Sequence, residues 1–162
     1  MSTPGASVDI MVEARFKAAV FPRLNTMSNI LSIEKIVKAI AQVSTSLNTW
    51  MWGGIHGCLA LVLKDTEMRH VANNSTLNCD RIEKPPFTYP NITPLTTVTE
   101  YKQLTNEHKV TWDEYHLQEA VIFHGRAAIV AAVMPQYIKG KEVDYLGYGM
   151  ETILSLVAHL RT

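Results

Sequence analysis

Residues 32–47 constrain the fold more than any other part of this chain. Ile33, Ile36, Val37, Ile40, Val43 and Leu47 recur at spacings of three and four, which places all six on one side of an α-helix. The pleat of a strand would divide the same residues between two faces. An aliphatic stripe of this length must be covered by other elements, and Ser32 is the expected N-cap of its helix.

The rest of the chain supplies further helices. Residues 1–7 read as a disordered stretch and a short helix is expected over residues 8–20, with Ile10, Met11, Ala14, Ala18 and Phe21 loosely grouped; together residues 1–20 form an N-terminal lead-in to the domain at 21–162. Asp65 can cap another short helix through Met68 and Val71. Thr97-x-x-Glu100 is a capping box. It opens a long helix on which Val98, Tyr101, Leu104 and His108 share a face, continued by Trp112, Tyr115, Glu119 and Ile122. Gly125 is expected to end or kink that helix, and the Ala- and Val-rich run from Arg126 to Met134 forms the next, stopped by Pro135. The last helix runs from Met150 to Leu160, with Ile153, Leu154, Val157 and Leu160 inward. The fold class is mainly α, with four to six helices.

One stretch interrupts this pattern. Gly53, Gly54, His56 and Gly57 form a corner that leads directly into the apolar run Cys58-Leu59-Ala60-Leu61-Val62-Leu63. Glycines open backbone angles closed to other residues, so the segment reads as a tight structural corner feeding a buried extended segment or short β-hairpin near residues 53–63. It has neither the GxGxxG order of a dinucleotide loop nor the Gly-Lys-Ser/Thr ending of a phosphate loop.

The order of these pieces resembles a known family. The run Gly53-Gly54-Ile55-His56-Gly57-Cys58-Leu59-Ala60-Leu61-Val62-Leu63 follows an amphipathic helix. After it come the connector Pro85-Pro86-Phe87-Thr88-Tyr89-Pro90, a helix rich in Glu, His and Tyr, the segment Ala127-Ala128-Ile129-Val130-Ala131-Ala132-Val133-Met134-Pro135-Gln136-Tyr137-Ile138, and a closing Ile153-Leu154-Ser155-Leu156-Val157-Ala158-His159-Leu160. Together with Phe21-Pro22-Arg23-Leu24, this is similar to the Gag polyprotein of copia-type LTR retrotransposons over residues 21–162. The family usually carries another His where Cys58 stands. The resemblance implies an all-helical capsid domain of one lobe or two, with a lobe boundary near 73–97 or 135–149. It also implies self-assembly into a shell around element RNA inside the cell, in the cytoplasm.

Composition bears on partners. Fifteen basic residues balance fifteen acidic ones, so no net field draws this segment to nucleic acid. Any RNA contact of a Gag-like protein is then expected from segments outside this chain, whose abrupt finish after the last helix suggests a longer natural product. No apolar run reaches the ~18 residues of a membrane-spanning helix, and residues 1–12 lack a signal-peptide pattern. Cys58 and Cys79 are far apart and read as free thiols. Asn73, Asn74 and Asn91 begin Asn-x-Ser/Thr sequons that read as chance matches in a polar loop.

Candidate chemistry is sparse. His108, His116 and His124 are eight residues apart, so on a helix they fan over roughly 160° and cannot converge on one metal. Cys58 could pair with His56 or His70 as nucleophile and base, but a cysteine opening an apolar run is usually a small buried hydrophobe. Asp113, Glu114 and Glu119 read as a solvated face with scattered ion pairs. No catalytic, cofactor or metal site is therefore expected. Trp50, Trp52, Tyr89, Trp112, Tyr145 and Tyr148 are the candidate self-assembly contacts, because aromatic residues are enriched at protein interfaces. The expected function is a structural, self-assembling capsid subunit; the alternatives are a domesticated Gag-like adaptor and a small helical hydrolase using Cys58 and a histidine.

Overall fold

A computed structural model of the chain describes residues 6–23, 30–47, 56–77, 79, 93–133 and 135–161. Among these residues the architecture is mainly helical. The α-helices are α1 (Ala6–Ala18), α2 (Ile30–Thr45), α3 (Asp65–Val71), α4 (Val98–Ala132), α5 (Pro135–Ile138) and α6 (Ile153–Leu160), with 3-10 turns at Leu59–Leu61 and Lys139–Lys141.

The aliphatic stripe of α2 becomes the centre of the molecule. Ile33, Ile36, Val37, Ile40, Val43 and Leu47 are all buried. They join one cluster with Val12 and Phe16 of α1, Met68 of α3, Val121 and Ile129 of α4, and Ile153, Leu156 and Val157 of α6. Because α1 contributes to this cluster, it packs with residues 21–162 rather than standing apart from them. Phe16 lies 6.1 Å from Phe21 and 6.3 Å from His124, measured between ring centres. Asp9 meets His124 Nε2 at 3.0 Å. Helix α2 starts two residues before Ser32, which therefore lies within its first turn.

Helix α4 opens as its capping box requires. Thr97 Oγ1 accepts from the Glu100 N–H at 3.2 Å, and the Glu100 carboxylate accepts from the Thr97 N–H at 3.1 Å. The helix does not stop at Gly125. It runs for 35 residues, roughly 52 Å, and takes in the Ala- and Val-rich run expected to be separate. Gly125 serves a different purpose: a Cβ there would lie 3.0 Å from Ile153 Cγ1 and nearer still to Cδ1. The missing side chain lets α6 approach α4, and the surrounding packing outweighs the helix cost of glycine, about 1 kcal/mol. The buried face of α4 is Glu114, Leu117, Gln118, Val121, Ile122, Gly125 and Ile129, not the expected line through Trp112, Tyr115 and Glu119. Glycine at 125 and a polar Glu at 114 disguised this stripe, whose spacing is nonetheless helical.

Other helix ends shift by a few residues. Lys64, not Asp65, is the N-cap of α3, and its N–H donates to Glu67 Oε2 at 3.3 Å. Helix α6 starts at Ile153 rather than Met150, capped by Thr152, whose Oγ1 accepts from the Ser155 N–H at 3.1 Å. Helix α4 ends at Ala132 with Val133 already extended, and Pro135 opens the short α5. At the other end of α6, Arg161 binds Glu34 of α2 through Nε at 2.8 Å and Nη2 at 2.6 Å, with Glu67 of α3 at 3.9 Å. This ion pair fastens α6 to α2 and α3.

The close approach at Gly125 predicts a coupled pair. Gly125→Val should destabilise the chain by about 1–3 kcal/mol through overpacking. The loss should be smaller in an Ile153→Val background, which removes the obstructing methyl. Urea denaturation of the two single variants and the double variant measures the coupling; strict additivity would contradict the packing described.

Candidate functional site

The glycine corner is built onto the end of α2. Helix α2 finishes on Ser44 and Thr45, and its last carbonyls need partners. Ser44 Oγ and Thr45 Oγ1 turn back to the Ile40 and Ala41 carbonyls at 2.9 and 2.8 Å. The Cys58 N–H donates to the Ser44 carbonyl at 2.9 Å. That bond brings the backbone of residue 57 against the helix end. Gly57 has φ +56°, and a Cβ there would lie 2.7 Å from Ser44 O, 2.8 Å from Thr45 O and closer still to Leu47 O. Two independent conditions, a left-handed backbone and three facing carbonyls, therefore require glycine at 57. His56 is half-buried beside it. Gly53 and Gly54 lie outside the described residues.

The apolar run after the corner is buried as expected, but it is not extended. Residues 58–62 form a 3-10 turn in which Cys58 O accepts from Leu61 N–H at 3.1 Å and Leu59 O accepts from Val62 N–H at 3.0 Å. A buried strand would need a neighbouring ladder for its peptide groups. The turn satisfies its own and wedges its side chains between α2, α3 and α4. The β-bridge found among the described residues joins Val143 and Gly147 instead.

Cys58 is fully buried, and Sγ faces the Leu47 carbonyl at 3.8 Å. Burial first, and the Glu114 carboxylate second, push its pKa from an ordinary 9.0 up to about 12. The group is therefore a neutral thiol at physiological pH. A nucleophilic cysteine needs the opposite: a depressed pKa and access to substrate. The proximity of Glu114 corrects the expectation of a solvated acidic face, since this side chain is 5% exposed. Its i+3, i+4 and i+7 partners Leu117, Gln118 and Val121 are buried with it, and that spacing was the sequence signal for its position. Ser44, Glu114 and Gln118 are the buried polar side chains among the described residues.

The three histidines of α4 diverge as the helical geometry requires. His124 faces α1. His108 accepts from Trp112 Nε1–H at 3.2 Å, and His116 stacks on Trp112 at 5.4 Å, with Tyr115 edge-on at 5.9 Å. Trp112 is thus half-buried in a ring cluster rather than presented to solvent. Among the described residues, no group of three His, Cys, Asp or Glu side chains could hold a metal ion.

The other candidate contacts separate into two kinds. Tyr145 is fully exposed, while Tyr148 is half-buried at the edge of a groove. Partial burial, and then the nearby Glu142 carboxylate, raise the Tyr148 phenol above its ordinary range. Trp50, Trp52 and Tyr89 lie outside the described residues. No family model, curated protein or solved structure matches this chain. No helix among the described residues is long and apolar enough to cross a membrane.

The corner yields a ranked pair of outcomes. Gly57→Val should cost roughly 3 kcal/mol or more, or prevent folding, because both the backbone angle and the carbonyls oppose it. His56→Ala should cost much less. Thermal melts of both variants measure the ranking, and a silent Gly57→Val would show that the corner does not hold the end of α2.

Proposed function

We propose that this chain is a structural subunit that assembles with copies of itself through at least two separate surfaces, as a capsid-type protein does. The observation that carries the reading is where its large apolar side chains remain exposed. Leu95, Val98 and Tyr101 are exposed at the start of α4; Phe123, Val143, Leu146 and Met150 are exposed with Tyr145 near its far end. Tyr101 and Phe123 are 22 positions apart on one continuous helix, which places the two groups roughly 33 Å apart. Contiguous exposed apolar patches on a folded domain mark interaction sites. A third group, Ile10, Met11 and Val20, is exposed on and just beyond α1.

Two patches held this far apart on one helix can each engage a different neighbour. Contacts that use both propagate from subunit to subunit and generate rings, sheets or shells. This agrees with the resemblance to copia-type Gag capsids and with the burial of Cys58, which suits a packing role better than a nucleophilic one. Element RNA, on this reading, is bound by segments beyond this chain, because fifteen basic and fifteen acidic residues leave no net attraction for phosphate.

Balanced charge also fixes the salt response. Association through apolar patches should persist or strengthen as salt rises from low to molar concentration. Analytical ultracentrifugation of the purified chain, up to roughly millimolar, tests this: salt-tolerant species larger than a dimer are expected. A single monomer at every concentration would favour a Gag-like adaptor instead, and oligomers that dissolve with salt would contradict apolar assembly.

A further inference from the structure

Residues 143–147 form a tight turn closed by two backbone bonds. Val143 N–H donates to Gly147 O and Gly147 N–H to Val143 O, each at 2.8 Å. Arg126 of α4 holds the segment that follows, donating from Nη1 to the carbonyls of Gly149 at 3.2 Å and Glu151 at 3.0 Å. Arg126 thereby tethers the chain just after the turn to the flank of α4.

At its tip stands Tyr145, which is notable for its backbone angle and for its exposure. Its φ is +68°, in the left-handed region where a side chain crowds the backbone. Its relative exposure is 107%, so the ring is in water and packs on nothing in this subunit. The two Val143–Gly147 bonds hold the strained residue in place, while its ring gains no contact within the subunit. Backbone strain held in a rigid setting concentrates at functional sites.

Directly beside the tip is a groove of about 450 Å³. Phe123, Ala127, Val130 and Ala131 of α4 form one wall, and Leu146 and Tyr148 form the other. Arg126 lies within it, its guanidinium 5.6 Å from the Phe123 ring centre. An aromatic projection and a shallow, mainly apolar groove thus share one surface.

We infer that this surface is a two-fold contact between copies of the chain, in which Tyr145 of each copy enters the groove of the other. The inference rests on the self-assembly reading above and assigns it one of its interfaces. A two-fold contact has to be self-complementary, and a projection adjacent to a matching groove meets that condition. The charges agree. Glu142 and Asp144 flank the tip, and in the two-fold arrangement they approach the partner's groove, where Arg126 supplies the opposite charge. Arg126, Lys139 and Lys141 balance Glu142, Asp144 and Glu151 in this part of the chain, so it offers nucleic acid and anionic lipid no net attraction. The groove lining alone exposes far less than the roughly 800 Å² per partner of a standard stable interface, so the contact is weak alone and depends on the other surfaces for avidity.

Tyr145→Gly separates this role from a structural one. Glycine accepts φ +68° without strain, so the melting temperature should stay level or rise by a few degrees. Self-association should weaken about tenfold or more, as expected on removing a central aromatic anchor. Ala127→Glu, an exposed position in the groove wall, should weaken it similarly without changing the turn. Sedimentation of the parent and both variants, alongside thermal melts, decides the matter. A parent that associates and two variants that associate equally well overturn this interface and leave self-assembly intact. A parent that stays monomeric to roughly millimolar overturns both.

Discussion

Helix α2 carries the aliphatic stripe at the centre of the core, and the carbonyl of its buried Ser44 must find a donor other than water. The Cys58 N–H supplies one at Ser44, and it can do so only because residue 57 has no side chain to hold the chain off the helix end. Everything after the corner depends on this contact. It sets the 3-10 turn of residues 58–62 against α2, and that turn in turn fills the space between α2, α3 and α4. Without it the stripe from Ile33 to Leu47 would lack part of its cover.

Helix α4 divides the molecule's roles along its length. Its C-terminal half carries the buried residues from Glu114 to Ala132 and, at Gly125, admits α6 to close range. Its N-terminal half leaves Val98 and Tyr101 exposed. A helix stabilised at one end can present side chains at the other without that end collapsing onto the core. The fold thereby holds two exposed apolar groups at a fixed separation, which is the geometric requirement for an assembling subunit and the basis of the proposed role.

The parts legible in the sequence were those governed by local rules. The stripe of α2 declared itself by spacing, and the start of α4 by its capping box. Glycine was harder to read because it serves opposite purposes. Gly57 is needed for its backbone angle, as expected of the corner. Gly125 is needed for the absence of a side chain within a helix, and nothing in its neighbours distinguishes that use from a helix end. Leu59, Ala60 and Leu61 read as a strand because a short apolar run has the same appearance in either conformation; whether a ladder partner exists is a tertiary fact. Glu114 reads as solvent-facing by its charge, while its spacing to Leu117, Gln118 and Val121 turns it inward. Among the aromatic residues named as contacts, exposure separated Tyr145 from Trp112, whose ring is occupied by His108, Tyr115 and His116. Exposure of that kind depends on neighbours distant in sequence and is not encoded locally.

The central claim is that one folded chain carries enough separate contact surface to build an extended array. Negative-stain electron microscopy of the purified chain at high concentration tests it most directly. The account predicts shells, sheets or curved strings of repeating subunits whose spacing matches a single domain. A uniform field of monomers or closed dimers would contradict it.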